Sequence, residues 1–406
     1  MSFTKFIQAI LLSLMGLAAI PSGKAQTYTV LYAFTGGTDG ALPFAGLVRD
    51  SAGNLYGTTI GAQEGGLEGS VFKLTPRGRF ELLHSFVGGG ADGARPGGLV
   101  QDSAGNLFGT TAGWGSSPGT IFKLTRNGNF SVLHSFNGGA GGSGPGGPLV
   151  LDPAGNLYGV AGGGNSKCQN GSGCGLIFKL DPNGNESVLR TFIGGKKGAY
   201  PNAGLIRDAA GNLYGTTSGG GHNGNGTVFK LDPAGYETVL YTFRLPNGSA
   251  PNGGLIQDAA GNLYGTTLWG GSQANCQSQK KGCGVVFKLD PSGNETLLHI
   301  FTGGSEGGNP VAGLVMDSSG NLYGTTLTGG PQGCENYTCG VVFKLDPSGK
   351  ETVLYTFTNT NGTPGFGPEA GVIMNSAGTL YGTTSLGGNL NDCQGGGCGV
   401  VFKLTP

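Results

Sequence analysis

Eight carboxylates, one histidine and two tryptophans stand outside the repeated positions of this 406-residue chain and are its candidates for chemistry. They are Asp39, Glu64, Glu68, Asp92, Glu306, Glu335, Glu369, Asp392, His222, Trp114 and Trp269. Two carboxylates that converge within several ångströms can act on a glycosidic bond, and exposed tryptophan rings can stack on sugars or anchor a protein partner. One unsupported histidine makes neither a metal site nor a triad, so the sequence indicates no catalytic residue, metal or cofactor.

These candidates lie between copies of a repeated phrase, Gly-Asn-Leu-Tyr-Gly-Thr-Thr, which returns seven times with small changes. Its copies are 50 to 59 residues apart, a period typical of repeat architectures. Each unit has four short runs rich in branched and aromatic residues, which we name strands A to D, at 46–49, 54–59, 70–74 and 81–86 in the first unit. No stretch has helical periodicity, so the sequence predicts an all-β fold.

The connections between these strands are of two kinds. The A–B and C–D connections are tight turns, as in Asp50-Ser51-Ala52-Gly53-Asn54 and Asp181-Pro182-Asn183-Gly184, with proline and glycine where a hairpin turn favours them. The B–C and D–A connections are long, rich in glycine and variable in length. In a four-stranded meander those two connections emerge at the same end, which we name the loop end. We therefore expect all the candidate residues there. The opposite end, the turn end, is built from short and nearly identical turns that offer little chemical variety for a binding site.

The two termini predict how the fold closes. The seventh unit stops within its strand C, at 401–406, and lacks a strand D, whereas residues 28–34 closely match the strand D at 351–357. We therefore expect a seven-bladed β-propeller in which the N-terminal strand completes the last blade, pairs with residues 401–404 and contributes Val30 and Phe34 to its packing. An open β-solenoid is the alternative, but it gives no reason for a displaced strand.

Polar residues that recur at one position of each unit are interpreted as parts of the scaffold. Glutamates open strand D at Glu81, Glu186, Glu237, Glu295 and Glu351. One position within strand D is occupied by Tyr32, His84, His134, Arg190, Tyr241, His299 and Tyr355. Aspartates end strand A, and lysines share a position in strand C; we expect these lysines to form structural pairs or a solvated edge rather than a binding ring.

The N-terminus and the cysteines indicate export. Residues 1–25 have a lysine, an apolar stretch and small residues before Gln26, as in a secretory signal peptide; a membrane anchor is the alternative, although the apolar run is short for a span. The propeller domain is then 26–406.

Eight cysteines form four close pairs, which favours local disulfides in an oxidising compartment. The pairs are Cys168 and Cys174, Cys276 and Cys283, Cys334 and Cys339, and Cys393 and Cys398.

The repeated phrase, a following Val-Phe-Lys-Leu, a strand that ends in Phe and a glycine-rich loop leading to Gly-Leu together resemble the GloVer tandem repeat. The resemblance covers residues 28–406 and implies an exported bacterial protein of the kind described as choice-of-anchor. Members differ in their C-terminal anchoring tails, and since the sequence ends at Pro406 inside the last strand C, we expect no such anchor. The resemblance implies no catalytic residues.

The leading hypothesis is therefore a secreted or envelope-located, non-catalytic propeller that binds an extracellular glycan or protein at its loop end. A hydrolase or lyase acting on polysaccharides through the loop carboxylates is one alternative, and a structural envelope protein is another. A formal net charge of zero with 11% charged residues argues against nucleic acid as a partner. No segment after residue 25 could span a membrane, and we expect a monomer.

Overall fold

The computed structural model describes residues 26–61, 68–88, 92–113, 118–164, 168, 173–271, 276, 281–330, 339–359 and 364–406. Within these residues, seven four-stranded antiparallel sheets form the seven blades of a propeller, which confirms the predicted fold. Each sheet runs in the order A, B, C, D, with strand A facing the central axis and strand D outermost. No helix in the described residues is long and apolar enough to cross a membrane.

The strands are numbered in chain order. Strands A are Val48–Arg49 (β2), Pro96–Gln101 (β6), Ser143–Leu151 (β10), Ile206–Arg207 (β14), Ile256–Gln257 (β18), Val315–Met316 (β22) and Ile373–Met374 (β26). Strands B are Leu55–Thr59 (β3), Leu107–Thr111 (β7), Leu157–Gly162 (β11), Leu213–Thr217 (β15), Leu263–Thr267 (β19), Leu322–Thr326 (β23) and Leu380–Thr384 (β27). Strands C are Ser70–Leu74 (β4), Thr120–Leu124 (β8), Leu176–Leu180 (β12), Thr227–Leu231 (β16), Val285–Leu289 (β20), Val341–Leu345 (β24) and Val400–Thr405 (β28).

Strands D are Thr27–Ala33 (β1), Phe80–Ser85 (β5), Phe130–Ser135 (β9), Glu186–Thr191 (β13), Glu237–Thr242 (β17), Glu295–Ile300 (β21) and Glu351–Thr356 (β25). Short 3-10 turns occupy Gly139–Gly141, Gly195–Lys197 and Cys393–Gly395.

The N-terminal strand closes the ring as predicted. Strand β1 pairs antiparallel with β28, and its register joins Thr27 to Thr405 and Ala33 to Val400. Phe34 is fully buried in the core between blades seven and one. The expectation for Val30 is wrong, because its side chain is 37% exposed: β1 is the outermost strand of its sheet, and no further strand covers its free edge.

The structure explains the Asn and Tyr of the repeated phrase through the aspartate that ends strand A. In blade one the backbone N–H and Nδ2 of Asn54 donate to the Asp50 carboxylate at 2.8 Å each, and the Tyr56 hydroxyl donates to it at 3.1 Å. The same three bonds recur in blades three to six. These aspartates therefore fix the A–B turn, as the scaffold interpretation expected.

The Gly and Thr of the phrase are explained by contacts between strands and between blades. A Cβ on Gly57 would lie 2.5 Å from the ring of Phe72 and 2.9 Å from Leu47, so the phenylalanine of strand C requires a glycine opposite it. The Thr58 hydroxyl donates to the Gly97 carbonyl of the next blade at 3.0 Å. The hydroxyls of four other threonines donate equivalent hydrogen bonds to carbonyls of the next blade: Thr216, Thr266, Thr325 and Thr383. The bond from Thr383 joins blade seven to blade one.

Seven contacts around the rim, which we name the outer belt, join the first residue of each strand D to the fifth residue of strand D in the preceding blade. In β1, which begins one residue earlier, the corresponding residues are the second and the sixth. Three are ring stacks: Tyr28 on Tyr355, Phe80 on Tyr32 and Phe130 on His84. Four join a glutamate to a polar partner: Glu186 to His134, Glu237 to Arg190, Glu295 to Tyr241 and Glu351 to His299. The scaffold interpretation of the strand D histidines agrees with these contacts.

The outer belt corrects one assignment. Glu81 does not share the position of the other four strand D glutamates, because Phe80 pairs with Leu74 as Glu186 pairs with Leu180. Glu81 lies one residue further along and forms an exposed ion pair with Lys73 at 3.2 Å. Lysines in blades two, four, five and six instead lie 5.4 to 5.9 Å above the ring of the neighbouring strand B aromatic, so the lysine positions are structural.

Three predicted disulfides are present: Cys168–Cys174, Cys276–Cys283 and Cys393–Cys398, with Cα atoms 5.2 to 5.5 Å apart. Each disulfide closes a B–C loop and lies against a glycine of the adjacent D–A loop. A Cβ on Gly36, for example, would lie 2.7 Å from the sulfur of Cys393 and 2.8 Å from that of Cys398. Cys339 is also disulfide-bonded. Cys334 lies outside the described residues, so its pairing with Cys339 stays a prediction.

Candidate functional site

A cavity of about 600 Å³, which we name the central funnel, opens on the propeller axis at the loop end. Its wall is formed by the chain leading into strand A of all seven blades. In five blades the D–A loop turns inward through a Pro-x-(Ala/Gly)-Gly sequence, which is one residue shorter in blade two and ends in Pro148 instead of glycine in blade three. Small residues there allow the seven segments to approach closely; a Cβ on Gly147 would lie 2.5 Å from the backbone nitrogen of Gly204. The repeat itself therefore builds the cavity.

One position of this wall varies from blade to blade. The residue after the proline is Phe44 in blade one, Asn202 in blade four, Asn252 in blade five and Glu369 in blade seven, and each of these lines the funnel. The Phe44 side chain is 41% exposed although it is aromatic. A symmetrical scaffold thus presents an asymmetrical set of an aromatic ring, two amides and one carboxyl group.

The residue before the proline fixes the direction of each inward turn. Leu42, Arg95, Tyr200, Ala250 and Asn309 all have φ between 53° and 61°. Non-glycine residues in this left-handed region cost about 1–2 kcal/mol each, a strain that persists only where surrounding structure enforces it. The following proline is held against the preceding blade; a Cβ on Gly69 would lie 2.4 Å from Pro96. Arg95 also lines the funnel.

Glu369 is the carboxylate of the funnel lining in the described part of the chain. Its side chain accepts a hydrogen bond from the Ser385 hydroxyl at 3.2 Å. Burial raises the pKa of Glu369 to about 7, and the hydrogen bond from Ser385 offsets part of that rise. A carboxyl group with this pKa is present in both protonation states near neutral pH, so it can donate or accept a hydrogen bond.

Three other predicted carboxylates lie on the outer side of the blades, against strand D. Asp39 is 8% exposed and accepts hydrogen bonds from the Tyr32 hydroxyl and from the backbone and hydroxyl of Thr35. An Asp92 oxygen lies 3.5 Å from Nε2 of His84. Glu306 accepts a hydrogen bond from the backbone of Thr302 and lies beside the side chain of His299. The D–A loops therefore use these carboxylates to contact the outer belt, away from the funnel.

The remaining candidates are dispersed over the loop end. Glu68 hydrogen-bonds through its backbone to Phe86 and Arg95, and Asp392 precedes the turn at Cys393–Gly395. Trp269 is half-buried, and its backbone bridges to Ser249. His222 is exposed beside Lys196 and Arg244 in a small open cleft. Glu64, Trp114 and Glu335 lie outside the described residues. Of the candidates that the structure describes, Glu369 is the one that lines the funnel.

A cleft of about 620 Å³ also lies at the turn end, between blades one and two. Its lining includes Asp50, Asn54, Tyr56 and Lys73, which are repeated residues already engaged in the turn and strand contacts described above. A smaller cleft of the same kind separates blades three and four. These clefts follow from the repeat, whereas the funnel lining differs between blades.

Sequence reasoning did not identify Phe44, Arg95, Asn202 or Asn252. A usable signal was present, because an alignment of the seven D–A loops on their shared proline isolates one variable position next to constant small residues. The candidates from the sequence were carboxylates, a histidine and tryptophans, and Phe44, Arg95, Asn202 and Asn252 belong to none of these types. The geometry shows that position within the repeat is more informative here than residue type.

Comparison with solved structures finds similar propellers at low sequence identity. The extracellular domain of a proposed one-component system from B. thetaiotaomicron is 15% identical with a TM-score of 0.55, over 94% of this chain and 42% of that one. A gluconolactonase from Xanthomonas campestris is 16% identical with a TM-score of 0.44, over 73% and 86% of the two chains. The calcium-binding protein regucalcin from Agrobacterium tumefaciens is 15% identical with a TM-score of 0.44, over 72% and 83%.

These likenesses bear on the fold alone. No curated protein matches the sequence. The model of the Gloeobacter/Verrucomicrobia repeat matches residues 20–207 and 165–394, which together span most of the chain. The GloVer resemblance in the repeated phrase is thereby confirmed, and the chain belongs to the Gloeobacter/Verrucomicrobia repeat family.

Proposed function

We propose that this protein is an exported, non-catalytic binding propeller that holds an extracellular glycan in the central funnel. The observation that carries the proposal is the variable position after the D–A proline. Around it the repeat keeps the residues that shape the wall, while the side chains turned toward the cavity differ between blades. Side chains that vary at one position of a cavity wall whose other residues are kept are typical of a binding site carried on a constant scaffold.

The lining chemistry favours a glycan. Phe44 offers an exposed ring for the C–H face of a sugar. The amides of Asn202 and Asn252 each supply donors and an acceptor for hydroxyl groups, and Glu369 adds a carboxyl group. Much of the remaining wall is glycine, alanine and proline, which leaves backbone groups close to a ligand. A funnel of about 600 Å³ has the size of ordinary small-molecule sites and suits the end of an oligosaccharide.

The signal-peptide pattern of residues 1–25 and the disulfides support an oxidising location outside the cytoplasm. Hydrolysis of a polysaccharide is the second candidate, because the raised pKa of Glu369 is the kind of perturbation that catalytic carboxyl groups show. A two-carboxylate mechanism requires a partner within about 10 Å, and the other described carboxylates of the loop end do not line the funnel. We therefore favour binding over turnover.

The experiment is a glycan-array screen of residues 26–406, followed by calorimetric titration of the best oligosaccharide. We expect Phe44→Ala and the double change Asn202→Ala with Asn252→Ala each to weaken binding by tenfold or more. Asn183→Ala, in an exposed C–D turn, is the matched control and should leave the dissociation constant unchanged. Product analysis by mass spectrometry runs in parallel.

Three outcomes would overturn the proposal. Unchanged affinity in the Phe44 and Asn202/Asn252 variants, with weaker binding in turn variants, would place the ligand elsewhere. Cleavage of the oligosaccharide that Glu369→Gln abolishes would establish the hydrolase. Binding of a purified envelope protein, with no glycan retained on the array, would make the partner a protein.

A further inference from the structure

The outer-belt contact between blades five and six contains more ligating groups than the other polar contacts of the belt. Arg190, Tyr241 and His134 each meet one strand D glutamate. At the contact between blades five and six, Nε2 of His299 lies 3.6 Å from Oε2 of Glu351. The Glu306 side chain, from the intervening D–A loop, lies beside both residues. One nitrogen or oxygen from each of these three side chains lies within 4.8 Å of the other two.

Two buried polar atoms at this junction have no hydrogen-bond partner in the described structure. The Glu351 side chain is only 9% exposed, and its Oε1 accepts no hydrogen bond in the described structure. The Nε2 of His299 is likewise buried without a hydrogen-bond partner. Unsatisfied buried groups are costly, and two carboxylates beside one imidazole make an electron-rich cluster that a cation would satisfy.

We propose that His299, Glu306 and Glu351 bind a divalent metal ion of the zinc class. An imidazole nitrogen with two carboxylate oxygens suits Zn²⁺, which uses three protein ligands and leaves a fourth position for water. Calcium is disfavoured because it takes six to eight oxygen ligands. The three residues come from two blades and one loop, so the metal joins strand D of blade five, the following loop and strand D of blade six.

The surroundings hold one of the ligands in a suitable orientation. The backbone N–H of Thr302 holds Oε1 of Glu306 at 2.9 Å, which leaves the second oxygen for the ion. Such a contact to a ligating carboxylate is typical of metal sites. Glu306 lies in a loop, so it can move the short distance needed for coordination.

Blade one supplies a natural control within the same molecule. His84 has a loop carboxylate, Asp92, at 3.5 Å, but its belt partner is the ring of Phe130 instead of a glutamate. The third ligand is therefore replaced by an aromatic ring. A histidine and one carboxylate form a much weaker site, so we expect no tight metal binding in blade one. Asp92→Asn therefore serves as a control that should not change metal binding by the protein.

The test uses the oxidised chain 26–406, stripped with EDTA and titrated with Zn²⁺ against a chromophoric chelator. We expect one equivalent to bind, the melting temperature to rise with Zn²⁺, and Co²⁺ to give visible absorption bands of low coordination number. Glu306→Gln should weaken Zn²⁺ binding at least tenfold, and His299→Gln should abolish the Co²⁺ bands. Asp92→Asn should retain both the affinity and the spectrum.

Circular dichroism of each metal-free variant separates lost ligation from lost folding. Glu306→Gln is nearly isosteric and lies in a loop, so it tests ligation even where His299→Gln fails to fold. No bound Zn²⁺ in the parent chain would overturn the proposal. Binding that Glu306→Gln leaves unchanged would overturn it equally, since that result would assign the ion to other surface groups.

Discussion

The ring of Tyr28 stacks on the ring of Tyr355 with centroids 3.9 Å apart and an interplanar angle of 9°. These residues are far apart in sequence, and their contact holds the N-terminal strand against the sixth blade. The Tyr28 hydroxyl also donates to the carbonyl of Pro364, and its ring packs against Phe402 of β28. Ring closure therefore has a side-chain component in addition to the β1–β28 ladder.

Truncation of the closing strand should destabilise the whole propeller. Phe34→Ala removes a fully buried ring from the core between blades seven and one and should lower the free energy of unfolding by about 3–5 kcal/mol. Deletion of residues 26–34 should cost more, because it also exposes the edge of β28. Val30→Ala is the control on the same strand; at 37% exposure it should have little effect. Denaturant unfolding measures all three, and equal midpoints for Phe34→Ala and Val30→Ala would refute closure by packing.

The glycine in the middle of strand B should tolerate no side chain. Gly57→Ala would place its Cβ 2.5 Å from the ring of Phe72, and such overpacking costs roughly 1–3 kcal/mol. Gly61→Ala in the same blade is a matched control, since no atom lies within 4 Å of its Cβ position. Thermal unfolding should separate the two variants, and a stable Gly57→Ala protein would show that the Phe72 ring can move.

The Arg190–Glu237 contact of the outer belt should behave as a buried pair. The two side chains are 2.5 Å apart, and that of Glu237 is only 1% exposed. Arg190→Leu leaves this carboxyl group without its partner, so we expect a loss of about 3–5 kcal/mol. Arg190→Leu with Glu237→Leu should recover most of it. Lys73→Ala, which breaks an exposed pair, should cost under about 1 kcal/mol. Chemical denaturation of the double-mutant cycle checks this, and additive losses would contradict it.

The fold could be predicted from the sequence because each repeated residue makes a contact that is required locally, within its own blade or turn. The contact of Asp50 with Asn54 recurs in blades one to six, and the glycine equivalent to Gly57 faces a strand C phenylalanine in all seven blades, so similar phrases specify similar sheets. The displaced strand at 28–34 was recognisable because its pattern matches 351–357. The exposure of Val30 could not be predicted in this way, since the exposure of a side chain on an outer strand depends on what covers the edge of that strand.

The site was harder to predict because convergence around an axis is a property of the closed ring. Phe44 and Glu369 are 325 positions apart in sequence, yet both line the funnel. Asp39 and Glu306 looked equivalent to Glu369 as loop carboxylates, but they fall earlier in the D–A loop, where the chain still runs along the outer strand. Their orientation depends on contacts with Tyr32 and His299 that spacing alone does not reveal.

Glu369 should make the stability of the protein fall with rising pH across the mildly acidic range. Burial raises its pKa from 4.5 to about 7 in the folded protein, so the folded state keeps a proton that the unfolded chain has lost. The free energy of unfolding therefore decreases as pH rises from about 4.5 to 7 and is insensitive to this group above that range.

Glu369→Gln removes the titration, and the difference between the parent and variant stability curves isolates it from the other carboxylates. The parent should lose stability relative to Glu369→Gln across this window. Ser385→Ala removes the hydrogen bond that lowers the pKa, so the window should extend to higher pH. Urea unfolding at half-unit pH steps measures each curve. A flat difference curve, or one that rises with pH, would mean that Glu369 is ionised and well solvated in the funnel.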